Sequence, residues 1–154
     1  MRKWTLIDTL IVVVLIAGAA VGVKVLGSGA AATEKSKVEV VVMASSKDKG
    51  FAEAVRIGEK ATLSLTEKDG GIVTEVKAEP TVSMTFDSIN GTYQNVSNEE
   101  KEDVYIYVEA DCDVSDKYIK TGGTVIRVGE KISVRGKGYA TEGYVVEIHE
   151  GGDK

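Results

Sequence analysis

Val55-Arg56-Ile57-Gly58-Glu59-Lys60-Ala61-Thr62-Leu63 is answered later in the same chain by Ile126-Arg127-Val128-Gly129-Glu130-Lys131-Ile132-Ser133-Val134. The agreement extends outward on both sides. After a turn, Gly71-Ile72-Val73-Thr74-Glu75-Val76 matches Gly143-Tyr144-Val145-Val146-Glu147-Ile148, and upstream Val38 to Ala44 matches Val104 to Ala110. Three blocks recurring in one order define an internal duplication, with repeats at about 37–92 and 103–150. The blocks are rich in β-branched residues and bounded by turn residues, which is the pattern of short strands. One copy alone would leave an apolar face in water, whereas two copies can bury those faces against each other. The expected fold is therefore mainly β: a small pseudo-two-fold β barrel or sandwich made of the two sequence repeats, with a short helix near Phe51 to Val55.

Turn chemistry fills in the outline. Lys68-Asp69-Gly70-Gly71 separates the strand-like runs Ala61 to Leu65 and Ile72 to Ala78. Thr81 to Ile89 runs into Asn90-Gly91, a strong hairpin signal, and Thr92-Tyr93-Gln94 continues after it. Asn95 to Asp103 is polar and reads as an exposed loop. Gly58, Gly71, Gly129 and Gly143 are the expected structural turn positions, with a positive φ or a close backbone approach expected at Gly58 and Gly129. The Glu-Lys pair after Gly58, and again after Gly129, reads as a solvated turn. The repeat also contains a conflict. Val73 and Val76 are three residues apart, as are Val145 and Ile148, so neither pair can share a strand face without an irregularity. Either a bulge lies near Thr74-Glu75 and Val146-Glu147, or these strands are apolar on both sides; both copies should resolve the conflict alike.

Ahead of the duplication lies a segment of another kind. Leu10 to Val23 has no charged or strongly polar residue, and Trp4 to Leu26 is interrupted only by Thr5, Asp8, Thr9 and Lys24. About 20 apolar residues suffice for a helix to cross a bilayer core. Residues 1–27 thus read as a cytoplasmic stub and transmembrane helix, 28–36 as a linker, 37–150 as an extracytoplasmic β domain, and 151–154 as a tail. Arg2 and Lys3 precede the span, so the positive-inside rule puts the N-terminus in the cytoplasm and the β domain outside. Ala30-Ala31-Ala32 also offers small residues for signal-peptide cleavage. Asp8 reads as an interfacial carboxylate near Lys3.

Setting aside Arg2, Lys3, Lys24 and Asp8 leaves 16 basic and 23 acidic residues, a net charge of −7. A domain that acidic is poorly suited to nucleic acid or anionic lipid, so no nucleic-acid partner is expected. The single cysteine, Cys112, cannot form an internal disulfide, and its neighbours Asp111 and Asp113 oppose thiolate formation. The single histidine, His149, has no serine or cysteine at a recognisable spacing and reads as a strand end. Asp111, Asp113 and Asp116 do not follow the EF-hand spacing and read as a solvated turn. No catalytic, cofactor-binding or metal-binding set is expected. Tyr105 and Tyr107, two apart, share one strand face and form a possible interaction face.

The Ile7-Asp8 pair inside the anchor, followed by the Arg-x-Gly-Glu-Lys and Gly-x-Val-x-Glu-Val blocks, resembles a bacterial family known as domain of unknown function 4330. The resemblance implies a membrane-anchored extracytoplasmic protein and supplies no activity, substrate or site residue. Gly58 to Val76 is also similar in its glycine-valine rhythm to the Mce lipid-transport domain. Trp4 to Val14 resembles the start of type IV pilins, with Lys3 where their glycine stands and Asp8 where their glutamate does. The leading expectation is a non-enzymatic, single-pass module of the cell membrane that scaffolds or contacts an envelope protein or a second copy of itself. The alternatives are a barrel-type lipid or envelope transport component and a pilin-like filament subunit.

Overall fold

A computed structural model describes residues 34–63 and 70–151. The expected membrane helix and most of the expected linker lie outside those residues. Among the described residues, no helix is long and apolar enough to cross a membrane.

The chain runs through β1 (Glu34–Asp48), a one-turn helix α1 (Phe51–Ala54), β2 (Lys60–Thr62), β3 (Gly70–Asp87), β4 (Thr92–Ser115), β5 (Tyr118–Thr121), β6 (Thr124–Ile126), β7 (Lys131–Arg135) and β8 (Ala140–Glu150). The fold is mainly β, as its β-branched runs dictate. Strand β1 begins at Glu34, so the last residues of the expected linker already belong to the sheet. Residues Asn95 to Asp103, expected as a loop, are part of β4. At the far end Gly151 donates its backbone N–H to the Lys37 carbonyl, so the sheet holds the first residue of the expected tail.

All eight strands form one antiparallel sheet in the order β1-β8-β7-β2-β3-β4-β5-β6, and β1 also pairs with β4. The sheet therefore curls back until β1 has a neighbour on each side. This corrects the expected barrel or sandwich. A sandwich needs two sheets, and a closed barrel needs a full ladder at every join. Between β2 and β7 the ladder shrinks to one pair, Thr62↔Arg135, and β5 and β6 run off beyond β4.

Strand register relates the two sequence copies. In the β1–β4 ladder Val38 faces Ala110, Val41 faces Tyr107 and Ala44 faces Val104. The repeat alignment exchanges those partners, so the two copies swap about the Val41↔Tyr107 pair. On the flanks Val40 faces Ile148 as Ile106 faces Val76, and Val42 faces Val145 as Val108 faces Val73. The register slips in both copies at the equivalent place: Thr74 is skipped between Val73↔Val108 and Glu75↔Tyr107, and Val146 between Val42↔Val145 and Val41↔Glu147. A bulge at each site restores the inward direction. Val73 and Val145 are accordingly buried, and Val76 and Ile148 pack half-buried against the same core.

That core is filled by alternate residues of the two long central strands, Val38, Val40, Val42 and Ala44 from β1 and Val104, Ile106, Val108 and Ala110 from β4. Leu63, Val134, Ile126 and Tyr139 close it from the sides. Burying one such valine side chain is worth roughly 1.5–3 kcal/mol.

Candidate functional site

The expected glycine positions come in two kinds. Gly58 (φ 85°) and Gly129 (φ 86°) sit in matching turns with left-handed backbones. Gly58 donates its N–H to the Val73 carbonyl (2.8 Å), and Val73 donates back to Glu59 (3.0 Å). Gly129 and Val145 repeat this with Glu130 at 2.7 and 3.0 Å. Gly71 and Gly143 are not turn positions: both lie within strands. A Cβ at Gly71 would run into the Glu109 carbonyl, and one at Gly143 would sit 2.5 Å from the Met43 carbonyl oxygen. Glu109 and Met43 are themselves equivalent residues of the two copies. These four glycines build the body.

Tyr105 and Tyr107 lie on the outer face of β4, both half-buried. Lys77 lies across Tyr107, its Nζ 3.2 Å from the phenol oxygen and 4.7 Å from the ring centroid. Glu75 holds the same lysine at 3.3 Å. The Tyr105 phenol is pushed up from its ordinary pKa by burial, and further by Glu79 and Asp103. Val41, on this same outer side, is almost wholly buried. Tyr107 is thus packed against Lys77 and Tyr105 stays half-buried beside it.

The nucleophile and base types are placed without catalytic company. Cys112 is buried, and burial, reinforced by Asp111 and Asp113, pushes its thiol up to about 11. His149, in β8, lies 3.0 Å from Glu147 on the surface. Among the described residues no group of three or more histidine, cysteine, aspartate or glutamate side chains could hold a metal ion. A shallow cleft of about 460 Å³ beside α1 is lined by Glu53, Arg56, Glu59 and Lys137, charges of both signs.

The surface that stands out is a β arm formed by the far half of β3 and the near half of β4. Its ladder runs from Thr81↔Asn98 through Met84↔Asn95 to Asp87↔Thr92, with the tip at Ser88 to Gly91. Residues facing each other across an antiparallel pair share a side. One side of the arm thus carries Val82, Met84, Phe86 and Tyr93, with Ser97 and Asn95 opposite Val82 and Met84; the other carries Ser83, Thr85, Gln94 and Val96. Met84 and Tyr93 are each 70% exposed, and Ile89 at the tip is 91% exposed. Phe86 and Tyr93 touch ring to ring at 5.1 Å between centroids.

The arm is held at both ends. Asp87 organises the tip: its carboxylate accepts from the Ile89 N–H (2.9 Å), the Asn90 N–H (3.3 Å), Asn90 Nδ2 (2.7 Å) and Gln94 Nε2 (3.1 Å). Gly91 at φ 65° completes the turn. At the root the register jumps from Pro80↔Glu102 to Thr81↔Asn98. Asp103 bridges this jump, accepting from Thr81 Oγ1 and the Ser46 N–H, both at 2.8 Å. Lys101 pairs with Asp48 at 2.6 Å, and the Glu102 carboxylate accepts from the Ala52 N–H at 2.9 Å.

Reading periodicity alone finds the hairpin but not its exposed apolar side, because alternation does not say whether an apolar face meets a core. A charge signal was available. From Thr81 to Asn98 the only charged residue is Asp87, in a chain that is 28% charged, and the stretch is flanked by Lys77, Glu79, Glu99, Glu100 and Lys101.

A family model described as Domain of unknown function (DUF4330) matches residues 1–149, and the chain belongs to that family. No curated protein and no solved structure matches it.

Proposed function

We propose that this member of the DUF4330 family is a non-enzymatic interaction module of the cell envelope. In this reading its N-terminal hydrophobic segment anchors it in the membrane, its β domain lies on the outer side, and the 81–98 arm is the part offered to a protein partner. The carrying observation is the arm's apolar side, exposed on a ribbon whose one charge is Asp87 and whose two ends are fixed by hydrogen bonds. An exposed apolar patch on an otherwise charged domain marks an interaction site. A preorganised arm also loses less entropy on docking than a floppy loop would. Trp4 to Leu26, preceded by Arg2 and Lys3, supports the anchor and its direction. The buried, protonated Cys112 and the surface-paired His149 suit a structural protein better than an enzyme.

The lipid-transport alternative draws no support from the body. The interior of the curled sheet is filled by Val40, Ile106, Leu63 and Val134, all fully buried, so a lipid path would have to run between copies. The pilin-like alternative rests on residues 4–14, outside the described region.

The test uses the full chain in its native membranes. A photo-crosslinking residue is placed at Met84, at Ile89 and, as a control on the body, at Lys120. Adducts from the arm positions and none from Lys120 are expected; an arm that yields no adduct overturns the reading. A reporter fused after Lys154 should be active only outside the cytoplasm, and activity confined to the cytoplasm overturns the orientation.

A further inference from the structure

Taking the arm as a docking element, we propose that its partner is the arm of a second copy of this chain, the two ribbons packing their Val82-Met84-Phe86-Tyr93 sides face to face about a two-fold axis near Met84.

Charge selects the occupant. The chain is acidic, at −5 overall, and its outer face carries Glu39, Glu109 and Glu147, of which Glu109 is paired with Lys37 and Glu147 with His149. Two chains of like net charge repel each other at long range. Between Thr81 and Asn98 the only charge is Asp87, and that carboxylate is turned into the tip by four hydrogen bonds. The arm is thus the place where two acidic copies meet at least electrostatic cost. A basic partner would be expected to face acids there, and an anionic membrane would be expected to face lysines or arginines; the arm offers neither.

Shape and edge point the same way. An isologous interface needs one self-complementary patch. The apolar side is a straight stripe, with Met84 at the middle of Thr81 to Asp87 and the aromatic pair Phe86–Tyr93 toward the tip. Two antiparallel stripes therefore set the aromatic pair of one copy against Val82 of the other. Neither edge of the arm is paired with a further strand among the described residues. Soluble proteins usually blunt such edges with lysine, proline or inward charge. Here those devices stop at the root, with Pro80 and Lys101.

Size sets the strength. Aromatic side chains bury roughly 150–250 Å² each, so two stacked stripes bury on the order of 1,000 Å², the low end for a specific interface. Such a pair is weak between free molecules. It becomes substantial between copies confined to one membrane, where effective concentration is high.

The test uses full-length protein in native membranes. Met84→Cys and Thr85→Cys place a thiol on opposite sides of one strand, and the native Cys112 is buried in the core. A short bis-maleimide should link Met84→Cys into a covalent dimer and leave Thr85→Cys monomeric. Adding Phe86→Lys, or independently Tyr93→Lys, should reduce the Met84→Cys dimer by about tenfold or more, the effect expected of a central interface residue. Equal linkage at 84 and 85, or none at 84, overturns self-association. A photo-crosslinker at Met84 separates the two claims. An adduct with a different polypeptide and no self-dimer overturns the pairing and leaves the interaction-module reading standing. Adducts with lipid alone overturn both.

Discussion

Strands β3 and β8 begin as copies and end differently. Each starts beside a glycine that admits a neighbouring backbone, each receives the N–H of a left-handed turn glycine, and each carries a one-residue bulge at the same place. The β1–β8 ladder includes Val38↔Glu150, and past the equivalent Val104↔Ala78 pair β3 runs on through Pro80 into the arm. The three recurring blocks therefore lie in the body, and the arm lies outside them. The two regions also obey opposite rules. In the body apolar residues alternate inward and charges face out; in the arm the apolar side faces out and charge is nearly absent. A feature that breaks both the symmetry and the polarity rule of its own fold is where function is best sought.

The comparison breaks most completely if one copy can stand alone. Residues 34–92 contain β1, β2 and β3, but β1 takes its partners from β4 and β8, and β3 takes its long partner from β4. The isolated segment should show no cooperative unfolding transition by circular dichroism. A cooperative melt would mean that the copies are independent domains.

Next in size are the close-approach glycines. Gly71→Ala and Gly143→Ala each drive a methyl into a carbonyl of the adjacent strand. Each should cost about 3 kcal/mol, the upper part of the range for overpacking, and the two losses should agree closely. A tolerated alanine at one site and not the other, measured by denaturant unfolding, would break the equivalence of the copies. Smaller again are Val76→Ala and Ile148→Ala. These half-buried neighbours of the bulges should cost about 1–2 kcal/mol each.

How much of this was legible follows from where the information lies. The duplication and the mainly β fold follow from sequence, and side-chain parity, a local property, narrows the Val73-to-Val76 conflict to a bulge or a strand apolar on both sides; the register slips at Thr74 and Val146 select the bulge. The expected barrel or sandwich fails at a non-local detail, the single-pair join between β2 and β7, which no spacing encodes. Gly71 and Gly143 read as turns because glycine signals a turn and a close approach alike. Asn95 to Asp103 looked like a loop because polar strands on a solvated ribbon carry no hydrophobic period. The apolar side of the arm was hidden for the reverse reason: Val82, Met84 and Phe86 alternate like core residues.

The root of the arm sharpens the comparison at a level of about 1 kcal/mol. Asp103 accepts from both Thr81 and the Ser46 N–H. Asp103→Ala removes both hydrogen bonds, each worth about 1 kcal/mol net. The body should lose little, while amide exchange in 81–98 should accelerate relative to β1 and β4 of the body. Uniform acceleration throughout would show that arm and body open as one unit.

The smallest effect separates the two kinds of turn by pH. The Asp87 carboxyl is held below its ordinary value of 3.8, first by the Asn90 side chain and then by the Ile89 and Asn90 N–H groups. Because the folded value is depressed, the ordering it provides is complete above pH 3.8 and is lost as pH falls through the lower folded value. The turns at Gly58 and Gly129 rest on backbone carbonyls, which do not titrate. Nuclear magnetic resonance between pH 6 and pH 2 should therefore show the Ile89 and Asn90 amides shifting in the acid limb while the Gly58 and Gly129 amides hold until the body itself unfolds. Asp87→Asn should loosen the tip at neutral pH and abolish the acid-limb shift, since an amide oxygen is a weaker acceptor than a carboxylate. If Ile89 and Asn90 move only together with Gly58 and Gly129, the tip has no independent ordering. Ile89 would then be held out by the fold as a whole and not by Asp87.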